Sequence, residues 1–353
     1  MIKAVIFDWG DTVMEDLPLK AGPMAEWDIV KETPAIRQVL ESLRGHFSII
    51  LATNAAESGE KKVRLALRRV GLDGFFDAIY SAKEMGVSKP DRQFFQSILD
   101  YHDLLTDQTV MVGDDLTNDV MGASRAGFRS IWLRRGDTQV LEHPYFDGEL
   151  THFNQWQSVF LPIQTGQIPS FAQIRQLWQE YPTSPGLSRH VHLVGITAYL
   201  LARMLVENGV KVSPILAHRG GLLHDLDKKV WREAGITHGE MGAIITEKAG
   251  FHEVAEIIRR HQVFTPLIPL TIPETWEQKL VYLADKFIEK DQFVGLEMRF
   301  AHLRNRYPDS AALFDQVQPV ARGMEGDLLM ELGFGQEELY SILTRKLARF
   351  QVG

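Results

Sequence analysis

The chain has 353 residues, more than a single core of ~100–200 residues usually holds, so two domains are expected. Hydrophobic residues make up 45% and charged residues 24%, which excludes a disordered or collagen-like chain, and zero cysteines exclude disulfides, thiolate metal sites and cysteine nucleophiles. The net charge of −8 argues against a broad basic surface for nucleic acid or anionic lipid. The opening MIKAVIFDWGDT is apolar over too short a stretch for a secretory signal, and no run of ~18 apolar residues suggests a membrane span, so a cytoplasmic protein is expected.

In chain order, Ala4–Phe7, Phe47–Leu51, Ala78–Tyr80, Thr109–Val112 and Arg129–Leu133 read as buried strands. Between them, Thr33–Leu43, Gly59–Val70 and Asp91–Tyr101 carry helical periodicity. Strand and helix alternating in this way predict a doubly wound α/β domain with a Rossmann-like parallel sheet, whose ligands sit at the carboxyl ends of the strands. Gly136–Ser170, with Pro162, Gly166 and Pro169, reads as a loose connection. From Phe171 onward nearly every periodic segment is helical, which predicts an all-α bundle. The expected division is 1–160 for the first domain, 161–185 for a linker and first helix, and 186–353 for the second.

Asp8, Thr53, Lys89 and the run Gly113-Asp114-Asp115 with Asp119 stand at strand ends or helix starts. Any one of these is ordinarily a cap or a turn residue. Together they offer a carboxylate nucleophile, a hydroxyl and an ammonium for phosphate oxygens, and further carboxylates for Mg²⁺. The segments FDWGDT, LATN, SKPD with Phe94, and VGDDLTNDVMGASRAG resemble the four motifs of the haloacid dehalogenase superfamily over roughly the first 135 residues. The resemblance implies that Asp8 forms an aspartyl-phosphate, and that Mg²⁺ is held by Asp8, the Gly10 carbonyl and Asp114, with Asp119 orienting the site. It further implies that Thr53 and Lys89 hold the phosphoryl group, with Asn54 beside the substrate.

Phosphatases of that superfamily usually carry a second aspartate two residues after the nucleophile as general acid, and here that place is Gly10. Loss of a general acid costs ~10²–10⁴ in rate if nothing substitutes for it. Asp11 is expected to point elsewhere. The motif spacing, 45 residues from Asp8 to Thr53 and 36 from Thr53 to Lys89, leaves no room for a separate cap domain, so a capless site is expected, open or covered by the helical half.

Seven of the twelve histidines lie between His190 and His261. His190, His224-Asp225, His238, His261 and Asp285 form a set of four imidazoles and two carboxylates suited to Fe, Mn, Co or Zn. His192 is a second candidate for the first position, and His218, His252 and His302 read as scattered surface residues. The segments RHVHLVGITAYLLA, LLHDLDKK, HGEMGA, the histidine after IIRR, YLADKFIE and GLEMR resemble the HD phosphohydrolase superfamily over about residues 185–305. More narrowly, they are similar to bacterial HD-type symmetrical diadenosine tetraphosphate hydrolases. The resemblance implies a dimetal site of His190, His224, Asp225, His238, His261 and Asp285, with Lys228 and Arg299 contacting phosphate. A metal-dependent phosphohydrolase acting on small phosphorylated metabolites or nucleotides is expected; the alternative is that only the helical half hydrolyses and the first half binds phosphate or regulates.

Overall fold

A computed structural model describes residues 1–17, 20–136, 144–232 and 235–350, so residues 137–143 of the expected connection lie outside the described residues. The chain divides into two compact units, with the boundary between Gly166 and Gln167. Among the described residues no helix is long and apolar enough to cross a membrane.

The first unit is built on six parallel strands: β1 (Ala4–Phe7), β2 (Ser48–Thr53), β3 (Ala78–Ser81), β4 (Thr109–Gly113), β5 (Arg129–Leu133) and β6 (Gly148–Leu150), in the order β3-β2-β1-β4-β5-β6. Successive residues of β1 serve opposite faces. Val5 and Phe7 join a cluster with α1 (Ile36–Leu43), α2 (Glu60–Arg69) and α6 (Trp156–Gln164). Ala4 and Ile6 join one with α4 (Arg92–His102) and α5 (Gly122–Ala126), while α3 (Ala82–Met85) is a single turn after β3. With both faces covered, strands read as continuous apolar runs rather than alternating ones. The strand order reverses between β1 and β4, and a crevice opens at their carboxyl ends.

The expected loose connection at Gly136–Ser170 is corrected by β6 and α6. β6 has three residues, and its Gly148 is required by close packing: a Cβ there would lie 2.4 Å from Val159 Cγ1. α6 carries Pro162 in its last turn, yet it buries Trp156, Phe160 and Ile163. Short length and a breaker in the helix hid both elements from periodicity.

The second unit comprises α7 (Phe171–Glu180), α8 (Pro185–Glu207), α9 (Pro214–Leu223), α10 (Glu240–Lys248), α11 (His252–Arg259), α12 (Trp276–Phe287), α13 (Leu296–Arg306), α14 (Ala311–Leu332) and α15 (Gln336–Leu347). One departure from the all-α expectation is a two-stranded hairpin, β7 (Ile288–Glu289) and β8 (Gln292–Phe293), with Lys290 at φ 56° in its turn. The long helix α8 crosses α9 at glycines. A Cβ on Gly221 would lie 2.6 Å from Gly195 Cα, so the two backbones touch where a side chain cannot fit.

That contact generates a prediction. Gly221→Ala must part α8 from α9 and should cost ~1–3 kcal/mol or more, read as a lowered Tm of the full chain by circular dichroism. An unchanged Tm would show that the crossing has slack.

Candidate active sites

In the first unit, β1 ends at Phe7, which Asp8 follows, β2 ends at Thr53, and β4 at Gly113, which Asp114 follows. Lys89 lies just ahead of α4. Asn54 fixes it there: its side chain accepts from the Lys89 backbone N–H at 2.9 Å and donates to the Lys89 carbonyl at 2.8 Å. The Lys89 ammonium is buried, donates to Asp8 Oδ1 at 2.6 Å and to the Ala52 carbonyl at 2.7 Å, and pairs with Asp119 Oδ1 at 2.6 Å. Burial alone would lower its pKa, but Asp8 and Asp119 outweigh burial and raise it. The buried lysine is therefore held as a cation.

Asp8, Asp114 and Asp119 bring carboxylate oxygens within 4.8 Å of one another. Burial, then the charge of Asp8, pushes Asp114 up to about 6, although Thr12 Oγ1 donates to its Oδ1 at 3.1 Å. Asp119 is raised by the same two causes. Crowded oxygens whose charged forms are disfavoured fit a hard divalent cation such as Mg²⁺. A cavity of about 500 Å³ opens over these groups, lined also by Gly10, Asp16, Met24, Trp27, Thr53 and Asn54. Within this unit, the segment after β1 supplies the wall that an open capless site was expected to lack. Asp115 caps the π-helical turn Leu116–Met121, its Oδ1 accepting from the Thr117 and Asn118 N–H groups.

In the second unit, four imidazoles converge. Each has Nδ1 engaged by an acceptor: His190 by the Lys290 carbonyl at 2.9 Å, His224 by Gly221 O at 2.7 Å, His261 by Ile258 O at 2.6 Å, and His238 by Asp227 Oδ1 at 2.7 Å. An acceptor at Nδ1 fixes a proton there, so every Nε2 is the nitrogen turned inward; in His190 and His238 the facing carboxylates outweigh burial and raise the pKa, so that Nε2 also holds a proton that a metal ion would displace. His190 Nε2 lies 3.1 Å from Asp285 Oδ1, and His238 Nε2 lies 2.8 Å from Asp225 Oδ1. His261 Nε2 is 3.6 Å from Asp225 Oδ1, and His224 Nε2 is 3.6 Å from Asp225 Oδ2 and 3.7 Å from Asp285 Oδ1. His224 Nε2 is buried and has no hydrogen-bond partner. Burial holds this imidazole neutral, with its pKa lowered to about 3. Burial would raise Asp225 and Asp285, yet the hydrogen bond from His238 and the charge of Lys228 at the first, and the charge of Lys286 at the second, help hold both well below the carboxylate range. An orphaned neutral imidazole nitrogen facing two ionised carboxylates fits a divalent transition metal.

Lys228 Nζ reaches Asp225 Oδ1 at 3.0 Å and His238 Nε2 at 3.2 Å. Arg299 pairs with Glu289, Nη1 to Oε1 at 3.6 Å, and its charge reaches Lys286 beside Asp285. His192 is also outside the cluster: its Nδ1 turns to the Ser188 carbonyl and its ring lies against Trp178. His252 is exposed and His302 pairs with Glu289, but His218, expected at the surface, is fully buried with its ring near Phe171 and Tyr199.

A haloacid dehalogenase-like hydrolase family model matches residues 21–133, and an HD domain model matches residues 188–289. The chain joins a haloacid dehalogenase-like domain to an HD domain. The first match begins after β1, so Asp8 and Gly10 rest on geometry and motif. Among similar proteins are a glyceraldehyde 3-phosphate phosphatase from Pyrococcus furiosus, 30% identical over 119 residues, 33% of this chain and 48% of that one, and the pyrimidine 5'-nucleotidase YjjG from Escherichia coli, 32% identical over 107 residues, 30% of this chain and 46% of that one. The chain thus spans about half the length of the curated relatives it matches. A solved structure of an uncharacterized protein from Listeria monocytogenes serotype 4b overlaps 46% of this chain and 99% of its own at 24% identity, with a TM-score of 0.42.

Sequence reasoning missed two buried charges of the HD domain. Asp227 is fully buried and holds His238 together with the Gly239 and Gly242 N–H groups, at 2.7 and 3.0 Å. Lys286 donates to Asp285 Oδ2 at 2.5 Å and to the His261 carbonyl at 2.7 Å. The signal for both was present, a charged residue inside LLHDLDKK and YLADKFIE, but adjacent charges draw no attention unless their burial is known.

Two predictions follow from these geometries. Elemental analysis of purified variants should find metal lost from Asp285→Ala, reduced ~10–100-fold in affinity in Asp227→Ala, and kept in His192→Ala. The second concerns protons. Asp114 binds a proton with a pKa of about 6, above its unfolded value, so protons compete with Mg²⁺ at pH 5 and release the site above 7. Mg²⁺ should therefore stabilise the chain more at pH 7.5 than at pH 5, by up to ~1.4 kcal/mol per tenfold gain in affinity, read as a larger rise in Tm; equal shifts at both pH values would count against Asp114 as a ligand.

Proposed function

We propose that this protein is a metal-dependent phosphohydrolase with two sites, an aspartate-nucleophile site in the haloacid dehalogenase-like domain and a His/Asp dimetal site in the HD domain. The observation that carries the reading is the position of Asp8. It stands at the strand-order reversal under the cavity, with one oxygen held by the Lys89 ammonium.

In the first site Asp8 attacks phosphorus and carries the phosphoryl group as an aspartyl-phosphate. Thr53 and Lys89 hold the equatorial oxygens, and Asn54 keeps Lys89 in register. Asp8, the Gly10 carbonyl, Asp114 and Asp119 would hold Mg²⁺ there. In the second site His190, His224, Asp225, His238, His261 and Asp285 would hold two divalent transition metals, with Lys228 steadying a phosphate oxygen and Arg299, on Glu289, one step removed. Bound divalent ions screen phosphate charge and activate water. The substrates are small phosphorylated metabolites or nucleotides, a class that includes what the named relatives act on.

Asp8→Asn should abolish Mg²⁺-dependent phosphomonoester hydrolysis, a loss of at least ~10³-fold, because an amide cannot form the acyl-phosphate. Metal content of the HD site should stay at the wild-type level. Persistence of the monoesterase rate in Asp8→Asn would favour the rival reading, in which only the HD domain hydrolyses.

A further inference from the structure

The haloacid dehalogenase-like site lacks a carboxyl two residues after Asp8, and transfer from an alkyl phosphate needs a proton for the departing oxygen. Gly10 is not forced by its backbone, since its φ lies outside the left-handed region. Nor is it forced by crowding. A Cβ built on Gly10 meets a single atom within 4 Å, and that atom is Asp16 Oδ2, at 4.0 Å. The place of the missing carboxyl is therefore empty and bordered by another.

We propose that Asp16 is the general acid and base of the Asp8 site, reaching from the segment after β1 into the space that a residue-10 side chain would fill. The proposal rests on the reading of Asp8 as nucleophile. Asp16 lines the same cavity as Asp8, Gly10 and Asp114. Its carboxylate makes no hydrogen bond or ion pair among the described residues, whereas that of Asp11 in the same loop is engaged. Asp11, at φ 51°, accepts the Asp16 N–H at its Oδ1 at 3.0 Å, and its carbonyl accepts from Arg135. That turn directs Asp11 to the backbone and fixes where Asp16 leaves the chain. Partial burial and the charge of Asp11 raise the Asp16 pKa, which favours the protonated form that a donor needs.

The step balances without any co-reactant. As Asp8 Oδ bonds to phosphorus, the bond from phosphorus to the leaving oxygen breaks, its electron pair stays on that oxygen, and the Asp16 proton completes the alcohol. Water then attacks the aspartyl-phosphate, gives one proton to the Asp16 carboxylate, and releases inorganic phosphate and the Asp8 carboxylate. Asp16 ends protonated, as it began.

The test compares kcat on an alkyl phosphate and on 4-nitrophenyl phosphate in the full-length protein and its variants. Asp16→Asn should lose at least ~30-fold more on the alkyl substrate than on the aryl one, within the 10²–10⁴ range of a lost acid. Gly10→Asp in the Asp16→Asn background should recover the alkyl rate, because the space is open to a carboxyl approaching from β1. Calorimetric Mg²⁺ binding should be the same in Asp16→Asn as in wild type, which separates proton donation from an effect on the ion. Equal losses on both substrates, no loss, weakened Mg²⁺ binding, or a selective alkyl loss in Asp11→Asn instead would each overturn the assignment while leaving Asp8 as nucleophile. If the wild type hydrolyses neither monoester, the reading of Asp8 fails, and the proposal falls with it.

Discussion

Everything at the mouth of the parallel sheet depends on the buried ammonium of Lys89. It sits between Asp8 and Asp119 at 2.6 Å from each, and its third donor goes to a strand carbonyl. A buried cation missing a partner is strongly destabilising, by ~3–5 kcal/mol. Here all three donors are satisfied, and the cation in turn allows two carboxylates to be brought near a third. Without it, Asp8, Asp114 and Asp119 would repel one another apart or bind protons.

The helical unit meets the same difficulty by other means. Asp225 and Asp285 are buried with imidazoles around them, and each also has a lysine, Lys228 for the first and Lys286 for the second. The lysines differ in kind. Lys228 is exposed and can exchange partners, whereas Lys286 is buried and fastened to the His261 carbonyl, so it ties one carboxylate to the helix end that bears an imidazole.

Much of this was legible in the sequence because the strands of a doubly covered sheet have to be apolar throughout, and because the polar residues that end them are conspicuous. Ala4–Phe7 followed by Asp8 is the plainest case. Of the two candidates for the first position, the structure turns His190 to Asp285 and His192 to the Ser188 carbonyl. What escaped was decided by distant packing. The strand Gly148–Leu150 is too short to show a period, and its glycine answers to Val159. Asp227 looked like one more charge in LLHDLDKK, because nothing local tells a buried aspartate from a solvated one. Asp16 carried no pattern at all, and its proximity to Gly10 exists only in the folded loop.

The latches on the four imidazoles have an evolutionary consequence. His190, His224 and His261 are oriented by peptide carbonyls, of Lys290, Gly221 and Ile258, and a carbonyl survives almost any change of the residue that bears it. Their tautomers are inherited with the path of the backbone. His238 is oriented by the side chain of Asp227. A single codon can therefore unfasten that histidine, whereas no single side-chain change releases the other three, and the same change also frees the Gly239 and Gly242 N–H groups that open α10.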